Sequence, residues 1–232
     1  MTLSRVVSTS ADRSDAGRIF IVDDHPVFRF GIIALLRAQG FDPCGEAEDS
    51  RSALSQLGEA KADLVMMDIS LSGGSGLALI KQIKLSWPNL PVLALSIHDE
   101  MLFAERALRA GAIGYLSKSV EPSYLIDSVR RALRGELVVS TAISDLLLRR
   151  MIKGAPSSGA GASPVTLLSN RELEIFELMG RGLGTREVAE ALHISVKTVE
   201  THQGNIRNKL GVRNATELMR AAVSWVANPD EE

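Results

Sequence analysis

The chain has 232 residues, enough for one large or two smaller domains, and 45% of them are hydrophobic, which suffices for packed cores. Its net charge of −2 gives no argument for nucleic-acid binding from bulk charge, and its single cysteine, Cys44, excludes an intrachain disulfide and a cluster of thiolate metal ligands. Residues 1–17 lack the apolar core of a signal peptide and no apolar run approaches the ~20 residues of a membrane span. We therefore expect a cytoplasmic protein with no membrane partner.

Residues 1–17 are polar and predict a flexible tail, after which short apolar runs alternate with helical patterns. The apolar runs predict five strands, at 18–22, 41–47, 64–67, 91–95 and 114–116. The helical patterns predict helices at 27–39, 49–59, 77–87, 101–110 and 122–134. This alternation favours an α/β domain over residues 18–136, a doubly wound five-stranded parallel sheet with helices on both faces.

Residues 137–166 are predicted to link this domain to a second one. A helix is expected at about 143–153, and the stretch 154–164, rich in Gly, Ala, Ser and Pro, has too few large apolar side chains to pack, so we expect it to be mobile. From 167 to 227 the apolar periodicity is helical throughout, which predicts an all-α domain, and residues 228–232 form a second tail. Ser169 and Glu172 have the spacing of a capping box at the start of its first helix.

Two predicted helices of the second domain, at 185–192 and 196–210, are separated by only three residues. Such a tight joint, with Ser195 available to cap the second helix, is the outline of a helix-turn-helix. The apolar residues of the second helix share one face and are expected to point to the core: Val196, Val199, Ile206 and Leu210.

The opposite face of that helix carries small polar side chains, which are more typical of a helix in the major groove than of a solvated surface helix, although the latter stays open. Candidate contacts to phosphates are Lys197, Arg207 and Lys209. Candidate contacts to base edges are Thr201, His202, Asn205 and Glu200, of which the last could accept from cytosine N4.

Acidic side chains follow two of the predicted strands. Asp23 and Asp24 come directly after the first strand, and Asp68 ends the third, shortly before a turn of Ser and Gly at 72–76. The carboxyl ends of parallel strands form the rim where ligands bind in open α/β sheets. Because neighbouring carboxylates stay ionised only with a cation among them, we expect a magnesium-dependent phosphoryl site centred on Asp68.

Other side chains at predicted strand ends would complete this site. Ser96 follows the fourth strand and Lys118 the fifth. An aspartate that accepts a phosphoryl group needs a hard cation, and also a cationic group and a hydroxyl for the phosphoryl oxygens. Singly, these two side chains are more often a solvated lysine and a strand-end hydroxyl, but their coincidence with the three aspartates favours the phosphoryl site.

Residues 18–134 resemble the receiver domain of bacterial two-component response regulators, which has a flavodoxin-like fold. The matching segments are Asp23-Asp24-His25-Pro26, Met67-Asp68, Leu95-Ser96, Gly114-Tyr115-Leu116 and Ser117-Lys118. The resemblance implies phosphotransfer from a sensor histidine kinase to Asp68, and His25 is not expected to be phosphorylated. It implies that Asp24, Asp68 and the Ser70 carbonyl bind Mg²⁺ directly, while Asp23 assists through water.

The resemblance also implies a switch, in which Ser96 moves toward the phosphoryl group and Tyr115 swings inward behind it. The chain departs from the family at Leu71-Ser72, where Met-Pro is usual. Without the proline this loop is less restricted in φ, which bears on the rate or lifetime of the phosphorylated state.

Residues 167–226 resemble the LuxR-type helix-turn-helix domain of the NarL/FixJ subfamily. The matching segments are LSNRE at 168–172, EVA at 187–189, ISVKTVETH at 194–202, NI at 205–206 and KLGV at 209–212. The resemblance implies a four-helix domain that binds double-stranded DNA, with Thr198 completing the set of candidate contacts. It implies a homodimer on two half-sites, joined through Leu218, Ala221 and Ala222 of the last helix, with RNA polymerase as a further candidate partner. Because Glu200 stands where some relatives have a basic residue, the target sequence does not transfer.

The two resemblances together imply a transcription regulator in which phosphorylation of Asp68 releases or pairs the DNA-binding domains, and no enzyme beyond its own phosphotransfer and dephosphorylation. Two other classes stay open. A phosphatase with an aspartyl-phosphate intermediate needs a second aspartate two residues after Asp68, where this chain has Ser70. A phosphorylation-independent regulator that uses its first domain only to dimerise is disfavoured by the complete acidic set but left open by the altered loop at Ser72.

Overall fold

The computed structural model of the chain describes residues 17–71, 75–98, 100–152 and 164–227. The strands are β1 (Arg18–Val22), β2 (Asp42–Ala47), β3 (Leu64–Asp68), β4 (Val92–Ser96) and β5 (Gly114–Ser117). The first helices are α1 (Pro26–Ala38), α2 (Ser50–Ala60), α3 (Gly76–Ser86), α4 (Glu100–Ala110) and α5 (Pro122–Leu133). They are followed by α6 (Thr141–Ile152), a short 3₁₀ helix (Pro164–Leu167), α7 (Asn170–Gly180), α8 (Thr185–Ala191), α9 (Val196–Leu210) and α10 (Ala215–Ala227).

The first half of the chain is a doubly wound parallel sheet with strand order β2-β1-β3-β4-β5. This order places β3 in the centre, and all of its residues are buried, as its continuous apolar run indicates. Side chains of β1 alternate between the two faces: Phe20 joins one hydrophobic cluster, and Ile19 and Ile21 join the other. The predicted fold class, an α/β sheet followed by an all-α domain, is therefore confirmed.

The segment after α5 packs back onto the sheet domain before the second domain begins. The N–H of Tyr115 in β5 donates to the carbonyl oxygen of Val138 over 2.8 Å, and the Ser140 N–H donates to Glu100 Oε1 over 3.0 Å. The helix expected at about 143–153 is α6, which begins two residues earlier and packs against α4. The stretch predicted to be mobile lies almost wholly outside the described residues, as do the tail at 1–16 and the tail at 228–232.

The second domain consists of α7 to α10, with α7 packed against both α9 and α10. The predicted capping box starts α7: Ser169 N–H donates to Glu172 Oε2 over 2.7 Å, and the Glu172 N–H returns a bond to Ser169 Oγ. The predicted helix-turn-helix is α8 and α9. His193 in the turn has a left-handed φ of 51°, and Ser195 Oγ accepts the Thr198 N–H over 3.1 Å to cap α9.

Two expectations about the sides of these helices are wrong. Val196 is 39% exposed, because it lines an open surface depression with residues of α8 and of the α8–α9 turn. Leu218 and Ala222, expected at a dimer contact, are buried within their own domain, and Ala221 packs against the same core. Gly180 of α7 lets α10 come this close, since a Cβ there would collide with the Ala222 carbonyl oxygen.

None of the helices in the described part of the chain is both long and apolar enough to cross a bilayer.

Candidate phosphorylation site and DNA-binding surface

The acidic side chains predicted at the strand ends lie together. Asp68 is the last residue of β3, and Asp23 and Asp24 directly follow β1, which pairs with β3. Asp23 and Asp68 are each 1% exposed. One ligand atom from each of Asp23, Asp24, His25 and Asp68 lies within 4.8 Å of the others. The topology therefore gathers carboxylates from two adjacent strands at the carboxyl rim, as the sequence predicts.

Lys118 brings a positive charge to this cluster. Its Nζ lies 2.6 Å from Asp68 Oδ2 and 2.8 Å from Asp23 Oδ2, so one ammonium group bridges both strands. The main-chain N–H of Lys118 donates to the Ser96 carbonyl oxygen over 2.7 Å, which connects the segment after β5 to the end of β4. Phe28 of α1 lies under the ammonium group, with its ring centroid 4.5 Å from Nζ. The predicted pairing of Lys118 with the acids is thus present in the geometry.

Burial and charge oppose each other at this pair. Burial raises the pKa of Asp68, and the Asp23 charge raises it further, whereas Lys118 acts to lower it. Burial lowers the pKa of Lys118, but the carboxylates of Asp68 and Asp23 outweigh it and raise that pKa. Because burial and the Asp23 charge disfavour the ionised form of Asp68, an additional cation beside it would stabilise that form.

The donor set fits Mg²⁺, a hard cation that prefers oxygen ligands. The carboxylates of Asp23, Asp24 and Asp68 converge, and the Ser70 N–H donates to Asp68 Oδ1 over 2.8 Å, so the turn after β3 folds back over the same carboxylate. His25 Nδ1 lies 2.7 Å from Asp24 Oδ1 and adds positive charge there when protonated. Asp24, Asp68 and the Ser70 carbonyl, with Asp23 behind them, are therefore candidate ligands.

Gly76 determines where the loop after β3 returns. A Cβ on Gly76 would collide with the Asp68 carbonyl oxygen and with Ile69 Cα, both of them backbone atoms. The start of α3 therefore lies directly against the end of β3, and only glycine permits this approach. The turn residues 72–74 lie outside the described part of the chain, so the expected effect of Ser72 stays a prediction.

Ser96 and Tyr115, the predicted switch pair, both form hydrogen bonds to the main chain of His98. Ser96 is fully buried, and its Oγ accepts the His98 N–H over 3.0 Å. The Tyr115 hydroxyl is also buried and donates to the His98 carbonyl oxygen over 3.0 Å. The Tyr115 side chain therefore occupies the inward position in this structure.

The helical domain docks against this rim. His98 Nδ1 lies 2.9 Å from Glu177 Oε2 of α7, and Asn170 Nδ2 donates to Ser75 Oγ over 3.1 Å. Arg106 of α4 donates to the Leu168 carbonyl oxygen over 2.9 Å. The rings of His25 and His193 approach to 5.8 Å between centroids, which places the α8–α9 turn beside the acid pair.

Sequence reasoning missed the residues of this interface. Glu174 and Glu177 of α7 are both buried, although glutamates on a helix normally indicate a solvated face. Burial raises the pKa of Glu174, against the ion pair at 2.7 Å with Arg171. No local pattern distinguishes such a face; only the pairing of a histidine beyond β4 with an acid on α7 could have suggested it.

The surface of α9 presents the predicted DNA contacts unevenly. The exposed ones are Lys197, Thr198, Glu200, Thr201, Asn205 and Lys209, and the half-buried ones are His202 and Arg207. Burial lowers the pKa of His202.

Three of the predicted DNA contacts already have partners for their side chains within the domain, and one of them, the Thr201 hydroxyl, donates to the Lys197 carbonyl oxygen over 2.9 Å. Lys209 Nζ pairs with Glu172 Oε2 at 2.6 Å, and the Thr198 hydroxyl bonds to Ser195 Oγ at 2.7 Å. Their side chains therefore support the fold of the domain as well as its surface.

Comparisons with known proteins agree with this architecture. Residues 19–130 match the family described as response regulator receiver domain, and residues 166–222 match the family described as bacterial regulatory proteins, luxR family. The oxygen regulatory protein NreC of Staphylococcus aureus (strain bovine RF122 / ET3-1) is 35% identical over 209 residues, which cover 89% of this chain and 96% of that protein.

Two solved structures of RcsB are also similar along most of the chain. RcsB from Salmonella enterica serovar Typhimurium, bound to promoter rprA in the presence of the phosphomimetic BeF₃⁻, is 27% identical with a TM-score of 0.56, covering 90% of this chain and 99% of that one. A structure of two RcsB dimers bound to two parallel DNAs is 26% identical with a TM-score of 0.53, covering 90% and 99%. The chain therefore belongs to the two-component response regulators of the NarL/FixJ type, transcription regulators that join a receiver domain to a LuxR-type DNA-binding domain.

Proposed function

We propose that this response regulator accepts a phosphoryl group from a sensor histidine kinase on Asp68, and that the phosphorylated form controls transcription by binding operator DNA as a dimer. The observation that carries the proposal is the position of Asp68. Its carboxylate ends the central strand, touches Lys118 at 2.6 Å and shares the rim with two further acids. The same chain carries a helix-turn-helix with an exposed polar face on α9.

The geometry supports a direct transfer. A carboxylate oxygen of Asp68 forms a bond to phosphorus as the bond from phosphorus to the donor imidazole nitrogen breaks, and that nitrogen keeps the electron pair and takes up a proton. Lys118 offsets the charge on the phosphoryl oxygens, and the Ser96 hydroxyl turns to donate to one of them. When bound by Asp24, Asp68 and the Ser70 carbonyl, Mg²⁺ supplies further neutralisation of these oxygens.

Labelling with acetyl phosphate tests the acceptor. Wild-type protein should gain one phosphoryl group per chain in the presence of Mg²⁺, detected by intact mass, and Asp68→Asn should gain none. Asp127→Asn is the matched control, because it removes a carboxylate on α5 that is 71% exposed and pairs with Arg130, not with the acidic cluster. Normal labelling of the Asp68→Asn variant would refute the assignment.

The DNA-binding half is proposed to act on two half-sites. RcsB, a relative of known structure, binds DNA as dimers, and dimeric helix-turn-helix proteins read half-sites about one helical turn apart. Selection of bound fragments from random DNA, followed by footprinting, should give a repeated motif at that spacing. A single unrepeated site bound by one chain would argue against the dimer.

One observation favours a second candidate, a regulator that binds DNA without phosphorylation. The segment shortly after the acceptor, Leu71-Ser72, departs from the Met-Pro that is usual in receivers. On that alternative, Asp68→Asn would bind operator with the affinity of wild type, before and after acetyl phosphate treatment.

A further inference from the structure

His98 lies where the receiver meets the DNA-binding domain. Its side chain is 2% exposed, and Nδ1 is 2.9 Å from Glu177 Oε2, whose own side chain is 1% exposed. The imidazole also packs on Phe103 of α4, with ring centroids 4.9 Å apart and planes at 30°. A carboxylate buried this deeply depends on its hydrogen-bonded partners, and losing one of them is strongly destabilising.

The main chain of His98 is held by Ser96 and Tyr115, the predicted switch pair. The Ser96 hydroxyl oxygen accepts its N–H, and the Tyr115 hydroxyl donates to its carbonyl oxygen, each over 3.0 Å. One residue therefore bonds to Ser96 and Tyr115 through its peptide groups and to α7 through its side chain.

We propose that His98 is a latch that holds the DNA-binding domain against the receiver through Glu177 and opens when Ser96 turns toward a phosphoryl group on Asp68. This inference rests on the proposed function and names the residues that carry its regulation. As Ser96 Oγ moves toward Asp68, the His98 N–H loses its acceptor and the peptide shifts. The imidazole then leaves Glu177, whose carboxylate keeps its ion pair with Arg181 on α7 but loses its partner on the receiver, so α7 undocks.

The negative charge of Asp68 also bears on the docking of α7. Glu174, one turn before Glu177, is 3% exposed and pairs with Arg171 at 2.7 Å. Burial raises the pKa of Glu174, and the Asp68 charge adds to that effect across the interface. A phosphoryl group at Asp68 increases the negative charge that faces α7, which weakens docking further.

A second set of contacts joins the domains without using Ser96. Arg106 donates to the carbonyl oxygens of Leu168 and Val165 and to Asn170 Oδ1, at 2.9, 3.4 and 3.2 Å. Removing Arg106 should loosen docking in every state, whereas removing His98 should also disconnect docking from the phosphoryl site. This difference separates a latch from a contact that merely adds affinity.

Hydrogen exchange of the α7 amides in the full-length chain tests the latch, with BeF₃⁻ and Mg²⁺ as the phosphoryl mimic. In wild type, BeF₃⁻ should speed exchange in α7 by about tenfold or more, as expected when a buried charge loses its partner. In His98→Ala, exchange should be fast without BeF₃⁻ and change less than about twofold on its addition. In Arg106→Ala, the starting rate should rise while the response to BeF₃⁻ keeps the wild-type factor.

Glu177→Ala tests the latch from the other side, which keeps the test decisive if His98→Ala does not fold. The double variant should exchange no faster than Glu177→Ala alone, because that variant already removes the interaction with His98 together with the ion pair to Arg181. A full wild-type response in His98→Ala, or equal loss of response in Arg106→Ala, would overturn the latch. Fluorine NMR of the same samples separates the two proposals: bound BeF₃⁻ with an unchanged His98→Ala response defeats only the latch, whereas no bound BeF₃⁻ in wild type defeats the phosphorylation proposal.

Discussion

Replacing Lys118 by alanine should destabilise the receiver domain by about 3 kcal/mol at neutral pH, at the lower end of the cost of breaking a buried ion pair. The magnitude follows from the site. The Lys118 side chain is 7% exposed and its ammonium group lies 2.6 Å from Asp68 and 2.8 Å from Asp23, which are each 1% exposed. Its removal leaves two buried carboxylates without the cation between them.

The loss should depend on pH with a definite sign. The pKa of Asp68 is raised by burial above its ordinary value of 3.8 even with Lys118 in place. The folded state thus binds this proton more tightly than the unfolded state, so the protonated carboxyl contributes stability at low pH that is lost as the pH rises through the raised pKa. Without Lys118 the pKa rises further, so the difference between variant and wild type should be small at low pH and largest at neutral pH.

Urea denaturation in EDTA, followed by circular dichroism from pH 4 to 8, measures this difference. Mg²⁺ at about 100 times its Kd should restore about 2.7 kcal/mol to the variant, because it binds the folded carboxylates and not the unfolded chain. Lys81→Ala, which removes an exposed lysine on α3, should change stability by less than about 0.5 kcal/mol. A variant as stable as wild type in EDTA at pH 7 would show that the ion pairs do not hold the rim together.

Three further predictions concern the loop, the cap and the DNA. Gly76→Ala should lower the free energy of unfolding by about 2 kcal/mol and slow labelling by acetyl phosphate, because the new Cβ meets backbone atoms. Gly31→Ala, where a Cβ meets nothing within 4 Å, should instead stabilise α1 by up to about 1 kcal/mol. Chemical denaturation of both variants measures these differences. Glu172→Gln should lower the Tm of the helical domain. Lys209 and Ser169 lower the pKa of Glu172 against the effect of burial, so the stability that Glu172 contributes is present above its unfolded pKa and is lost as the pH falls. The Tm of the variant should therefore fall less steeply than that of wild type between about pH 6 and pH 3. Lys197→Ala should weaken operator binding and reduce the slope of log K against log salt by about 1, while Lys81→Ala leaves the slope unchanged in a fluorescence titration.

The acidic cluster at the carboxyl rim could be predicted because each of its residues lies at the end of a strand in the sequence. Asp68 ends an apolar run and Asp23 follows another, so parallel pairing alone brings their side chains together. Lys118 and Ser96 follow the same rule, since each comes at the end of a strand whose neighbours are determined by right-handed crossovers. The short joint before Ser195 likewise determines the helix-turn-helix.

What could not be predicted depends on packing between distant elements. The 3.6-residue period places Val196 with the apolar face of α9, but does not show that the first turn of that helix lines an open surface depression beside α8. The same period groups Leu218 with Ala222, yet whether that face meets a second chain or α7 depends on the close approach at Gly180. Glu177 would be assigned to solvent by any local rule, and its burial follows from a docking partner 79 residues away, His98.

The most direct test of the central claim, that the charge state of Asp68 controls the DNA-binding domain, is operator affinity measured on one protein sample with and without BeF₃⁻ at fixed Mg²⁺ and salt. Wild type should bind the selected operator at least about tenfold more tightly with BeF₃⁻, a coupling free energy of about 1.4 kcal/mol, and Asp68→Asn should show the same affinity in both conditions. Equal wild-type affinity with and without BeF₃⁻, in a sample where BeF₃⁻ is bound, would contradict the account.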